Sequence, residues 1–178
     1  MKPIERMTQI EVGAFVQSHL REKGIEVVLS GGAAVSYYTK NKYISKDLDL
    51  IRTGLTGRRE IKRIMEEIGF VETDRYFKHP QSEYYVEFPE GPLSIGSEPV
   101  TIDDVLSFHL ATGTLRILSP TDCVKDRLAS YYHFKDRQGL NQAILVAKTN
   151  EVNIDEIKRW SEHEGELDEF IKIQTQLS

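Results

Sequence analysis

Apolar and polar positions recur with two periods along this chain, and the switches between them mark out its elements. Val12, Phe15, Val16 and Leu20 follow the three- and four-residue spacing of an amphipathic helix. Thr8 and Glu11 precede them as a T-x-x-E capping box, and Gly24 suits the C-terminal end. IEVVLS, residues 25–30, is rich in β-branched side chains and reads as a buried strand. It stops at Gly31-Gly32, where AAVSYYT, residues 33–39, begins a short helix. After the polar loop KNKY, the run SKDLDLI, residues 45–51, alternates strictly. Asp47 and Asp49 fall on one face of that strand, Leu48 and Leu50 on the other.

Helical spacing returns over residues 57–68, with Ile61, Ile64, Met65 and Ile68 inward and Gly69 as terminator. Residues 70–73 and 75–78 read as short strands. EYYVEF, residues 83–88, reads as a strand whose Glu87 lies between Val86 and Phe88. PEGPLSIGSEP, residues 89–99, reads as loop, and residues 107–119 as a hairpin turning near Thr112-Gly113. Ser119-Pro120 opens a helix, with Ser at the N-cap, Pro in the first position and Asp122 in the first turn. Further helices are expected near 138–148, after Asn153 with Ile157 and Trp160 inside, and over 166–176. Strands are confined to the first two thirds. The pattern therefore predicts an α+β core over residues 1–118, a mixed sheet flanked by helices, and a helical segment over 119–178 packed on it.

The chain has 178 residues, 39% hydrophobic and 29% charged, as expected of one soluble globular domain. A net charge of −5 argues against a broad surface that coats nucleic acid, and leaves room for a local basic cleft. The single cysteine, Cys123, excludes an intrachain disulfide and fits a reducing cytoplasm. With no histidine placed to activate it, it reads as a small buried residue. The N-terminal run MKPIERMTQIEVG has no apolar core of signal-peptide length, and no stretch approaches a membrane span. A cytoplasmic protein without membrane contact is the expectation.

The chemistry concentrates in three places. Carboxylates at Asp47 and Asp49 project from the same strand face, where their repulsion has a cost unless a cation lies between them. Mg²⁺, which prefers oxygen ligands and retains waters for a phosphate, is the natural partner. Glu87 is the candidate third acid. The glycine pair lets backbone N–H groups approach phosphate oxygens at a helix N-terminus. Each feature alone has a plainer reading: a solvated strand face, a surface glutamate, an ordinary strand-to-helix turn. Their succession in so short a span favours a joint site.

LSGGAAV (29–35), KDLDLI (46–51) and VEF (86–88) together resemble the nucleotidyltransferase fold of the DNA polymerase beta superfamily. Its signature is a strand, a glycine pair, a helix, an acid-x-acid strand and a later third acid. The chain is most similar in style to the bacterial nucleotidyltransferase-like group related to abortive-infection toxins, with Ser45 in the Ser/Thr position and the block 119–143 as the helical region after the core. The resemblance implies transfer of a nucleoside monophosphate from an NTP such as ATP to an RNA, protein or small-molecule acceptor. Asp47, Asp49 and Glu87 would be catalytic and would hold Mg²⁺ or Mn²⁺. Ser30, Gly31 and Gly32 would cradle the phosphates, helped by basic residues among Lys46, Arg52, Lys125 and Arg127. Lys125 and Arg127 have a competing reading as a solvated face or as ion pairs with Asp126 or Asp136. The alternative function is a catalytically silent nucleotide-binding domain, or an interaction domain of toxin–antitoxin type.

Overall fold

The structure is a computed structural model that describes residues 2–178. The capping box expected at Thr8 forms: Glu11 accepts from the Thr8 backbone N–H at 2.7 Å and starts α1 (Gln9–Glu22). β1 (Val27–Ser30) runs without a turn into α2 (Gly31–Tyr38). Then come β2 (Asp47–Arg52), α3 (Arg58–Glu67), β3 (Val71–Thr73), β4 (Tyr76–Lys78) and β5 (Tyr85–Glu87). β6 (Ser94–Ile95), β7 (Glu98–Pro99), β8 (Leu106–Leu110) and β9 (Gly113–Ile117) complete the strands. The remainder is helical: α4 (Pro120–Phe134), α5 (Arg137–Thr149), α6 (Ile154–His163) and α7 (Leu167–Leu177).

Seven strands form one mixed sheet in the order β3-β4-β5-β2-β1-β9-β8. β1 runs antiparallel to β2 and parallel to β9, and β2 runs parallel to β5. The alternation read in the sequence sorts the two faces. Leu29, Leu48, Leu50, Val86, Leu115 and Ile117 are fully buried. α1 lies close against them: a Cβ added at Gly13 would stand 3.3 Å from Leu115 Cδ1 and 3.5 Å from Leu48 Cδ2. Gln17 of α1 fastens the helix to β9, accepting from Arg116 N–H at 2.7 Å and donating to Arg116 O at 3.0 Å. One buried amide thereby meets both backbone groups of a strand residue.

The helical segment shares this core. Tyr38 Oη of α2 donates to Leu118 O at 2.5 Å, joining the first glycine-started helix to the chain just before α4. Ser119 caps α4 by accepting from Asp122 N–H at 3.1 Å, and Asn153 caps α6 by accepting from Glu156 N–H at 3.0 Å. One expectation is corrected. The stretch read as loop contains the β6–β7 hairpin, which turns at Gly96 with φ +59°. Its two-residue strands are too short to show a period. It is held by distant partners instead: Trp160 Nε1 donates to Ile95 O at 3.1 Å, and Glu164 accepts from Ser97 N–H and Oγ at 2.9 and 2.6 Å.

Candidate active site

Register brings the acids together. Ser30 is opposite Asp49 across the antiparallel β1–β2 pair. Asp49 is opposite Glu87, and Asp47 opposite Tyr85, across the parallel β2–β5 pair. Paired residues point to the same side of a sheet, and adjacent strands lie about 4.8 Å apart. Asp47, Asp49 and Glu87 therefore share the face opposite Leu48, Leu50 and Val86. β1 ends at Ser30 beside them, and α2 starts at that strand end.

Gly31 makes the junction close. Its φ of +64° is a left-handed conformation, and a Cβ there would lie 2.1 Å from Asp49 Oδ2. Only a residue without a side chain lets the Asp49 carboxylate rest against the first turn of α2. A Cβ at Gly32 would sit tightly against Ser45 Oγ at 3.2 Å and the Tyr43 ring at 3.3 Å. Ser30 is the N-cap of α2 but makes no side-chain capping bond; its hydroxyl leans toward Asp49 O at 3.5 Å.

Asp49 carries the electrostatic load. Its carboxyl is pushed up to about 6 from an ordinary 3.8, first by burial, then by the negative charge of Glu87. Arg127 acts against this, while Asp126 and Asp47 add to it. Burial, more than the neighbouring charges, therefore sets the proton affinity of Asp49. Glu87 faces Arg75, whose Nε is 3.6 Å from its carboxylate.

α4 contributes the rest. Arg127 Nε and Nη2 donate to Asp126 Oδ2 at 3.0 and 2.6 Å, and Nη1 donates to Gln142 Oε1 at 3.4 Å. The ion pair with Asp126 is the one weighed in the sequence, and it sits beside Asp49 rather than on a solvated face. The same Asp126 oxygen accepts from Gly31 N–H at 3.4 Å. Asp126 was visible in the sequence only as a neighbour of Arg127. No motif or period distinguishes it, because its role depends on how α4 crosses the start of α2.

Lys125 points elsewhere. It is 6% exposed, paired with Glu156 at 2.6 Å and Asp122 at 3.2 Å. It lines a cavity of about 450 Å³ that is also bounded by Glu98, Val100 and Trp160. Hydrogen bonds from Arg159 first, and from Lys125 after it, hold Glu156 down at about 2. Lys46 pairs with Glu83 on the surface at 3.1 Å, and Arg52 at the far end of β2 donates to Thr56 O. The structure therefore brings Ser30, Gly31, Asp47, Asp49, Glu87 and Arg127 to one place, with Gly32 just behind, and leaves Lys125 outside it.

Among the described residues, no three His, Cys, Asp or Glu side chains stand close enough to enclose an ion by themselves. The donor set is nevertheless of the right kind for a hard cation. It offers carboxylate oxygens only.

No protein-family model matches the sequence, and no curated protein matches it. Solved structures do. A nucleotidyltransferase-like antigenic protein from Paracoccidioides brasiliensis superposes with a TM-score of 0.62 at 14% identity, over 95% of this chain and 92% of that one. ANT(2″)-Ia bound to adenylyl-2″-tobramycin gives 0.53 at 14% identity, over 85% of this chain and 94% of that one. The solution structure of the antibiotic-resistance factor ANT(2″)-Ia gives 0.53 at 13% identity, over 92% and 91%.

Proposed function

The chain has the nucleotidyltransferase fold, and we propose that it is a nucleotidyltransferase, moving a nucleoside monophosphate from an NTP to an acceptor hydroxyl. The observation that carries this is the in-register placement of Asp49 and Glu87 on neighbouring strands, beside the glycine-started helix at the end of β1. Such a reaction needs positioning and charge stabilisation more than covalent help from the protein. Carboxylates and a helix N-terminus supply two of those parts at the ends of the central strands.

In this reading Asp47 and Asp49 hold a divalent cation, Mg²⁺ or Mn²⁺, with Glu87 contributing to it. Phosphate oxygens and waters complete the ligand set that the three acids leave open. Bound there, the ion supplies charge stabilisation for the phosphoryl oxygens during in-line displacement. Glu87 would help activate the acceptor hydroxyl, directly or through the metal. The N–H groups of Gly31 and Gly32, with Ser30, face the β- and γ-phosphates at the N-terminus of α2. Arg127, which already bears on the charge of Asp49, is the cation for the departing pyrophosphate.

The acceptor is a hydroxyl of RNA, of a protein or of a small molecule. One assay tests the proposal. Purified protein is incubated with each α-labelled NTP, Mg²⁺ or Mn²⁺, and cell-extract RNA, protein and small-molecule fractions. An Asp47→Asn/Asp49→Asn variant runs alongside. Label moving onto one fraction with wild type only is expected. Absence of labelled product in all fractions and with every NTP would overturn the enzymatic reading.

A further inference from the structure

The acid face of the sheet continues beyond Glu87. Glu87 is opposite Tyr76 and Tyr85 opposite Lys78 across the antiparallel β4–β5 pair, and Thr73 and Val71 extend the two rows onto β3. Paired residues share a side of the sheet, so Tyr76, Lys78 and Tyr85 stand on the same side as Asp47, Asp49 and Glu87. Phe77 and Val86, on the other side, are fully buried. On the acid side of β3, β4 and β5 no residue is buried, and Val71 is 58% exposed. The rings of Tyr76 and Tyr85 lie 6.0 Å apart between centroids on this open face. Each carries a cation: Arg75 Cζ is 4.8 Å from the centroid of Tyr76, and Lys78 Nζ is 4.7 Å from that of Tyr85. Arg75 also reaches Glu87, whereas Lys78 has no carboxylate partner among the described residues. Round the β3 edge, a groove along α3 is lined by Arg58, Arg59, Lys62 and Arg63 against Glu66 and Glu72. That is four cations to two carboxylates, in a chain whose net charge is −5.

We propose that this face is the acceptor platform and that the acceptor is the 3′ end of a single-stranded RNA, with its last bases on Tyr76 and Tyr85 and its phosphates on Arg75 and Lys78. For its chemistry the inference rests on the proposed nucleotidyl transfer, whose acceptor it names. Rings on an open sheet face offer stacking to any base, and cations beside them attract the phosphates between bases. Tyr76 is one strand away from Glu87, about 4.8 Å across the sheet. A base stacked on Tyr76 therefore keeps its own ribose beside the acids. The α3 groove continues the positive surface for upstream phosphates. A polycationic small molecule meets repulsion from Arg75 and Lys78 instead. A protein surface would need an apolar centre of contact, and Val71 is the one aliphatic side chain this face exposes. In the transfer, the 3′ oxygen bonds the α-phosphorus of the NTP as the bond from that phosphorus to the bridging oxygen breaks. Pyrophosphate leaves, and the hydroxyl proton is released to solvent.

The plainer reading makes the two ring–cation pairs ordinary surface packing, and RNA binding separates the two. A fluorescein-labelled single-stranded RNA oligonucleotide of mixed sequence is titrated by anisotropy against wild type, Tyr76→Ala/Tyr85→Ala, Tyr76→Phe/Tyr85→Phe and Lys78→Gln, at several salt concentrations. Thermal melting is recorded for all four proteins. A platform predicts that the alanine pair binds roughly tenfold or more weakly, the loss expected when stacking on two rings is removed. The phenylalanine pair keeps the rings and should bind close to wild type, which reports on stacking even if the alanine pair folds poorly. Lys78→Gln should flatten the salt dependence by about one phosphate contact. Wild type that binds no RNA, or an alanine pair that melts and binds like wild type, overturns the platform. So does label from an α-labelled NTP that moves only onto protein or onto a small molecule, and that result leaves the transferase standing. RNA binding that depends on the rings, with no transfer from any NTP, keeps the RNA surface and overturns the enzymatic reading alone.

Discussion

At the scale of single residues, Asp49 is where folding and the proposed function conflict. Its carboxyl binds a proton more tightly in the folded protein, with a value near 6, than in the unfolded chain, near 3.8. The folded state therefore gains protons relative to the unfolded state across that window, so this residue's stabilising contribution is complete below the window and is lost as pH rises through 6. A shift of about two pK units corresponds to roughly 2–3 kcal/mol. Asp49→Asn should accordingly make the metal-free protein more stable by about that amount at pH 7.5, with the difference closing below about pH 4. Urea titrations of both proteins across pH check this, and an equal gap at all pH values would show that charge is not its source. The same substitution should abolish transfer. Gly31→Ala should go the other way in stability. It places a side chain at positive φ and against Asp49 Oδ2, so a loss of about 1–3 kcal/mol is expected by the same titration.

At the scale of elements, caps and period-two alternation did most of the local work, and both are readable from the chain. Thr8 with Glu11, Ser119 with Pro120, and Asn153 each begin the helix that their chemistry predicts. The alternation of KDLDLI separates Asp47 and Asp49 from Leu48 and Leu50, which are fully buried. Ser119→Ala should cost about 1 kcal/mol in equilibrium unfolding, because Asp122 N–H loses its acceptor at the start of α4. The β6–β7 hairpin escaped the reading for a physical reason. Its strands carry too few residues for a period, and Trp160 and Glu164, some 65 positions away, supply what holds it. Lys125 shows the complement: its charge suggested phosphate, and burial against Asp122 and Glu156 spends it elsewhere.

At the scale of the whole molecule, strands from one part of the chain and α4 from another meet at the ends of the central strands. A ligand touching both should couple to global stability. NTP with Mg²⁺ at 100 times its dissociation constant should stabilise the wild type by about 2.7 kcal/mol, visible as a rise in melting temperature. The Asp47→Asn/Asp49→Asn variant should show no rise with Mg²⁺ and NTP together. An equal rise in that variant would place the ligand outside the acid cluster. Trp160→Ala, by contrast, should lower stability by about 3–5 kcal/mol in either condition, because it removes a fully buried side chain that ties α6 to the β6–β7 hairpin.

What the sequence by itself determined is what short-range physics governs. Side-chain period, capping chemistry and glycine at a strand end set the elements, the face on which Asp47 and Asp49 lie, and the glycine-started helix next to them. Tertiary structure decided everything that depends on which elements become neighbours. The parallel register of β2 and β5 set Glu87 opposite Asp49, and the crossing of α4 over the start of α2 brought in Asp126 and Arg127. Burial then raised the carboxyl of Asp49 and committed Lys125 to its two carboxylates. Strand register, helix crossing and desolvation arise from packing between residues far apart in the chain, and no local pattern encodes them.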